Sequence, residues 1–125
     1  MSRVKLEMEF IFKASPSILY KFLTAPECLV LWFSDGADVT DDSYVFSWEG
    51  SEEEAILVDD IEEERLRFRF VDSDEGEYLE FRLYKSDITL QTILEITDFS
   101  DKGGEKEQQD LWAVQMSQLK IVCGG

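Results

Sequence analysis

The sequence predicts an α+β domain, an antiparallel sheet covered by one helix at its C-terminal end. Three observations predict it. Apolar residues alternate with polar ones through most of residues 4–96. They switch to helical spacing over Ser15–Phe33 and again over 105–122. The alternating stretches are joined by short turns, which makes neighbouring strands antiparallel.

Residues 4–13 read as the first strand, with Val4, Leu6, Met8, Phe10 and Phe12 on one parity and Lys5, Glu7, Glu9 and Lys13 on the other. Only Ile11 breaks that pattern. Ser15 can cap a helix, and Pro16 suits the first helical position, where its missing N–H costs nothing. Ile18, Leu19, Phe22 and Leu23 then form one apolar stripe expected to face the core. Pro26 ends that helix, and a second short turn delivers Trp32 and Phe33 side by side.

Turn residues at Ser34-Asp35-Gly36 and Asp41-Asp42 bound a hairpin over 37–49, where Tyr44, Phe46 and Trp48 share a face. Glu49-Gly50-Ser51-Glu52 turns the chain again. Residues 53–61 carry the run Ala55-Ile56-Leu57-Val58, whose inward face alternation does not assign. Arg65 to Val71 alternates cleanly, with Leu66, Phe68 and Phe70 opposite Arg65, Arg67 and Arg69. The arginines are expected to offset Glu54, Glu77 and Glu80 across the sheet. After the loop Asp72–Glu77, Leu79, Phe81 and Leu83 point inward.

A last strand follows Lys85-Ser86-Asp87, with Ile88, Leu90, Leu94 and Ile96 on its inward parity. Ser100 to Gly104 is the loop before the final helix. In that helix Leu111, Trp112, Met116, Leu119 and Val122 make the apolar stripe, and Gly124-Gly125 ends it.

The 125 residues are expected to form a single domain, 1–125. Apolar content of 44%, with nine Phe, three Trp and four Tyr, supplies a core. The longest apolar run, Cys28–Phe33, is far too short to cross a membrane, so no transmembrane segment and a cytoplasmic location are expected. Cys28 and Cys123 lack metal-site spacing and read as two idle thiols. With no histidine, the usual general base, zinc ligand and hydrolase triad are missing. The net charge of −16 argues against a nucleic-acid partner and permits a basic protein partner.

Asp72–Glu77 fails as a calcium loop, because its glycine stands at the fifth place and Leu83 at the twelfth. No metal ligands are assigned, and no cofactor. Each acid falls in a loop or on a polar parity, so no catalytic dyad or other catalytic residue is assigned either.

The run Ala14-Ser15-Pro16-Ser17-Ile18-Leu19-Tyr20-Lys21-Phe22-Leu23-Thr24, followed by Ala25-Pro26-Glu27 and Trp32-Phe33, resembles a known pattern. It is similar to the START and birch-pollen-allergen superfamily, in the branch related to the activator of the heat-shock chaperone ATPase. Val58-Asp59-Asp60 before Leu66-Arg67-Phe68, and the single helix after the last strand, support it. The resemblance implies a helix-grip fold, a curved antiparallel sheet of about seven strands wrapped on the C-terminal helix with a cavity between them. Members bind lipids or other hydrophobic small molecules, some are cyclases or hydrolases, and some bind chaperones.

Parity and resemblance together give the expectation carried forward. The chain is expected to bind a small hydrophobic ligand without catalysis, in a cavity lined by Trp32, Phe46, Trp48, Phe68, Phe81, Trp112 and Met116. Two rivals remain open: a co-chaperone-like interaction module meeting a basic protein through its acidic surface, and a cyclase or hydrolase. Homodimerisation through an edge strand or exposed rings is open as well.

Overall fold

The computed structural model, which describes residues 2–125 and leaves Met1 outside, contains one seven-stranded antiparallel sheet. In chain order the elements are β1 (Arg3–Phe12), α1 (Pro16–Thr24), α2 (Pro26–Leu29), β2 (Gly36–Thr40), β3 (Ser43–Trp48), β4 (Ser51–Ile61), β5 (Arg65–Phe70), β6 (Leu79–Lys85), β7 (Thr92–Asp101) and α3 (Glu105–Cys123). The sheet order is β1-β7-β6-β5-β4-β3-β2. Strands β2 to β7 therefore form a meander, and β7 returns beside β1 in register from Arg3↔Asp101 to Phe12↔Thr92. This is the α+β helix-grip arrangement expected from the sequence.

Local chemistry sets the helix pair. The Ser15 hydroxyl oxygen accepts the Ile18 N–H at 3.2 Å, and Pro16 opens α1. The Ala25 N–H donates to the Lys21 carbonyl, and Pro26 starts α2. Leu19 and Leu23 are fully buried, whereas Ile18 lies 44% exposed on the shoulder of the stripe. The expected core role of Ile18 is thus corrected.

The structure also resolves the unassigned face of the fourth strand and changes further expectations. Strand β4 shifts register between Leu57 and Asp59, so Val58 is an extra residue that points outward. That bulge is why alternation could not assign the run's inward face. Strand β7 starts at Thr92 and runs to Asp101, so Ser100 belongs to the strand. Ile88 and Leu90 lie in the preceding turn, 93% and 69% exposed. There the Ser86 side chain accepts the Ile88 and Thr89 N–H groups and the Ser86 carbonyl accepts that of Leu90, so these donors are spent within the turn. On α3 the buried face is Trp112, Met116, Leu119 and Cys123, with Leu111 half exposed beside it. Gly124 takes the left-handed conformation, φ +91°, that ends the helix.

Both cysteines are free and buried, and burial pushes their thiols up. No helix among the described residues is long and apolar enough to cross a membrane.

Candidate functional site

The concave face of the sheet is filled by rings. Phe33, delivered by the turn after α2, sits 4.9 Å from Phe46, 5.4 Å from Trp48 and 5.2 Å from Trp32, centroid to centroid. It also stacks on Trp112 of α3 at 6.2 Å. Phe68 and Phe81 continue the cluster toward the centre of the sheet. Between these rings the interior keeps a void of only about 10 Å³, lined in part by Trp32, Phe46, Phe68 and Phe81. At that size it holds one water at most.

Space opens at the end of the grip instead. A cleft of about 420 Å³ lies between α3 and the adjacent ends of β3 to β7. Its apolar walls are Phe33, Trp48, Phe70, Leu79, Leu111 and Trp112, and its polar groups are Glu53, Asp98, Gln108 and Gln115. A second hollow of about 210 Å³ shares Glu53, Phe70, Leu79 and Asp98 with it and reaches Arg3, Tyr78 and Phe99.

Hydrogen bonds fix the rings of this cleft. The Trp48 indole N–H donates to the Phe33 carbonyl at 2.8 Å, and that of Trp112 donates to Asp98 Oδ2 at 2.8 Å. Gln108 Nε2 donates to the same oxygen at 2.7 Å, and the Phe99 N–H donates to Asp98 Oδ1 at 2.8 Å. Asp98 therefore ties α3 to β7. With their N–H groups spent internally, both tryptophans offer only ring surface to the cleft.

The seven residues expected to line a cavity divide by depth. Trp48 and Trp112 border the open cleft, while Trp32, Phe46, Phe68 and Phe81 surround the small void. Met116 is packed one helical turn beyond Trp112 and borders neither. The expectation that every acid lies in a loop or on a polar parity is corrected at two positions. Asp98 continues the inward parity of Leu94 and Ile96, and extending that alternation by two residues would have found it. Glu53 shares the inward parity of Ala55 and stands opposite Phe46, a placement hidden by the unassigned face of β4.

At the rim of the second hollow Glu77 is buried, turned back from the hairpin loop onto Arg3. Arg3 Nε and Nη2 each donate to it at 2.8 Å, and Nη1 donates to Asp101 at 2.9 Å. Hydrogen bonds from Arg3 hold the Glu77 carboxyl below the usual carboxylate range, against the opposing effect of burial. A folded-state value below the unfolded one stabilises the fold above the unfolded value of about 4.3, and that stability is lost as pH falls through the folded value. Glu77→Gln should therefore cost about 1–2 kcal/mol at neutral pH, discounted for the partly exposed guanidinium. The difference from the parent chain, read by urea unfolding, should shrink below about pH 4. A difference that stays constant down to about pH 2 would contradict the pairing.

A family model described as a START-like superfamily domain matches residues 1–125. Among solved structures, the chain is similar to a Bacteroides fragilis protein solved by NMR, with 28% identity and a TM-score of 0.70, covering 98% of this chain and 93% of that one. It is also similar to the Aha1 dimer from Colwellia psychrerythraea, with 20% identity and a TM-score of 0.77, covering 94% and 93%. A conserved protein of unknown function from Enterococcus faecalis aligns with 21% identity and a TM-score of 0.73, over 96% of this chain and 71% of that one. No curated protein matches the sequence.

Proposed function

The chain belongs to the START-like superfamily, and we propose that it binds a small apolar molecule in the cleft between α3 and the open end of the sheet. One observation carries this reading: a ring-walled cleft of about 420 Å³ stands beside a ring cluster whose own void measures only about 10 Å³. Ligand pockets typically measure about 300–1,000 Å³ and combine apolar walls with a few placed polar groups. The cleft matches on both counts. Its volume suits a compact aromatic or short-chain body, and a two-chain lipid would leave most of its tails outside. Of the seven residues singled out in the sequence, Trp48 and Trp112 touch the ligand directly in this reading. The deeper rings hold those two in place.

Fluorescence titration with the neutral apolar dye N-phenyl-1-naphthylamine tests the reading. Saturable binding of one dye per chain is expected. Leu111→Trp, at a half-exposed position on the cleft wall, should fill the cleft and weaken binding roughly tenfold or more without lowering the thermal midpoint. A non-saturating response, or saturable binding indifferent to Leu111→Trp, would overturn it.

A further inference from the structure

We propose that the cleft selects a ligand with a positive charge, a protonated amine on an aromatic or short aliphatic body, received by Glu53 and Asp98. The inference rests on the ligand-binding reading above and adds the chemical class. Its starting point is the polar complement of the cleft. The wall holds two carboxylates and two side-chain amides, and among the described residues neither a lysine nor an arginine lines it.

Nor are the two carboxylates neutralised from nearby. Among the described residues neither Glu53 nor Asp98 forms an ion pair, although the arginines on the sheet do so elsewhere, Arg65 with Asp59 and Arg67 with Glu80. Arg3, which lines the adjoining hollow, is occupied by Glu77 and Asp101. Asp98 is half-buried and receives only neutral donors, from Trp112, Gln108 and the Phe99 N–H. These use two sites on Oδ2 and one on Oδ1. A carboxylate offers about four acceptor sites, so Oδ1 keeps one for a donor from the ligand.

The walls suit the same charge. Trp48, Phe70 and Trp112 line the wall, and the face of an aromatic ring attracts an ammonium group and is indifferent or repulsive to an anion. Beyond the cleft, the chain's charge of −16 concentrates cations near its surface and repels carboxylates and phosphates. An apolar acid would bring a third negative charge between Glu53 and Asp98. An apolar amine would meet two acceptors and three rings.

A matched set of probes tests this: 1-naphthylmethylammonium, 1-naphthylmethanol and 1-naphthoate, which share one ring system and differ in charge. The ammonium should bind roughly tenfold or more tightly than the alcohol, and the carboxylate most weakly. Added salt should weaken the ammonium alone. Glu53→Gln, at an exposed position, should keep the thermal midpoint and reduce the ammonium's advantage over the alcohol several-fold. Equal affinity for ammonium and alcohol would overturn the charge selection and leave the apolar cleft standing. Binding of none of the three, together with failure of the neutral dye, would overturn both.

Discussion

Phe46→Ala is expected to destabilise the fold by about 4 kcal/mol, near the upper range for removing a buried ring. Phe46 is 2% exposed and stands where the two halves of the cluster meet. Its ring contacts Phe33 at 4.9 Å, Tyr44 and Trp48 at 5.8 Å, Phe70 at 6.1 Å and Phe68 at 6.3 Å. The neighbours cannot collapse into the space, because the Trp48 N–H is held by the Phe33 carbonyl and Tyr44 Oη donates to the Thr24 carbonyl at 3.2 Å. The cavity cost therefore adds to the transfer cost. Phe46→Leu keeps much of the volume and should cost under about 1.5 kcal/mol. Urea unfolding of both variants measures the two losses. Near-equal losses would mean that the cluster is looser than its ring distances imply.

The second large effect is expected at Asp98. Asp98→Ala should cost about 2–3 kcal/mol, because the buried Trp112 N–H and the Phe99 N–H lose their acceptor together with Gln108. Asp98→Asn should recover part of the loss. Its carbonyl oxygen can still accept from Trp112 and Gln108, but its NH₂ group then faces the Phe99 N–H. The two variants separate hydrogen bonding from charge. A negligible cost for Asp98→Ala would show that α3 does not depend on this carboxylate for its seat.

Much of the architecture is legible in the sequence because period-two alternation is strict where the strands are regular. Leu66, Phe68 and Phe70 against Arg65, Arg67 and Arg69, and then Leu79, Phe81 and Leu83, place two strands on one core face without help from tertiary structure. Alternation fails where the backbone departs from that period. Val58 is inserted by a bulge, and Leu90 takes φ +62° in a turn held by Ser86. Both are apolar residues that the local backbone geometry directs outward, a bulge at Val58 and a hydrogen-bonded turn at Leu90.

The cleft is less legible for a different reason. The parity of a ring shows which face it joins, not whether its neighbours leave space around it. Phe33 decides that outcome by stacking on Trp112 and meeting Phe46 edge-on, and its position depends on the turn after α2. Of the two carboxylates of the cleft, Asp98 is readable in principle, whereas Glu53 lies on the strand whose inward face alternation does not assign. Asp98 lies two residues beyond Ile96 on an inward parity, and a carboxylate in that place is a conflict between local pattern and burial. Such conflicts are expected at functional or strained positions.

The indole ¹⁵N–¹H signals of the three tryptophans test the central claim most directly. Trp32 donates to the Phe22 carbonyl inside the core, whereas Trp48 and Trp112 donate beneath rings that face the cleft. Titration with 1-naphthylmethylammonium should move the Trp48 and Trp112 signals to a common saturation point and leave that of Trp32 in place. Movement of Trp32 with Trp48 and Trp112 unchanged would put the ligand elsewhere, and saturation with all three unmoved would contradict the cleft as the binding site.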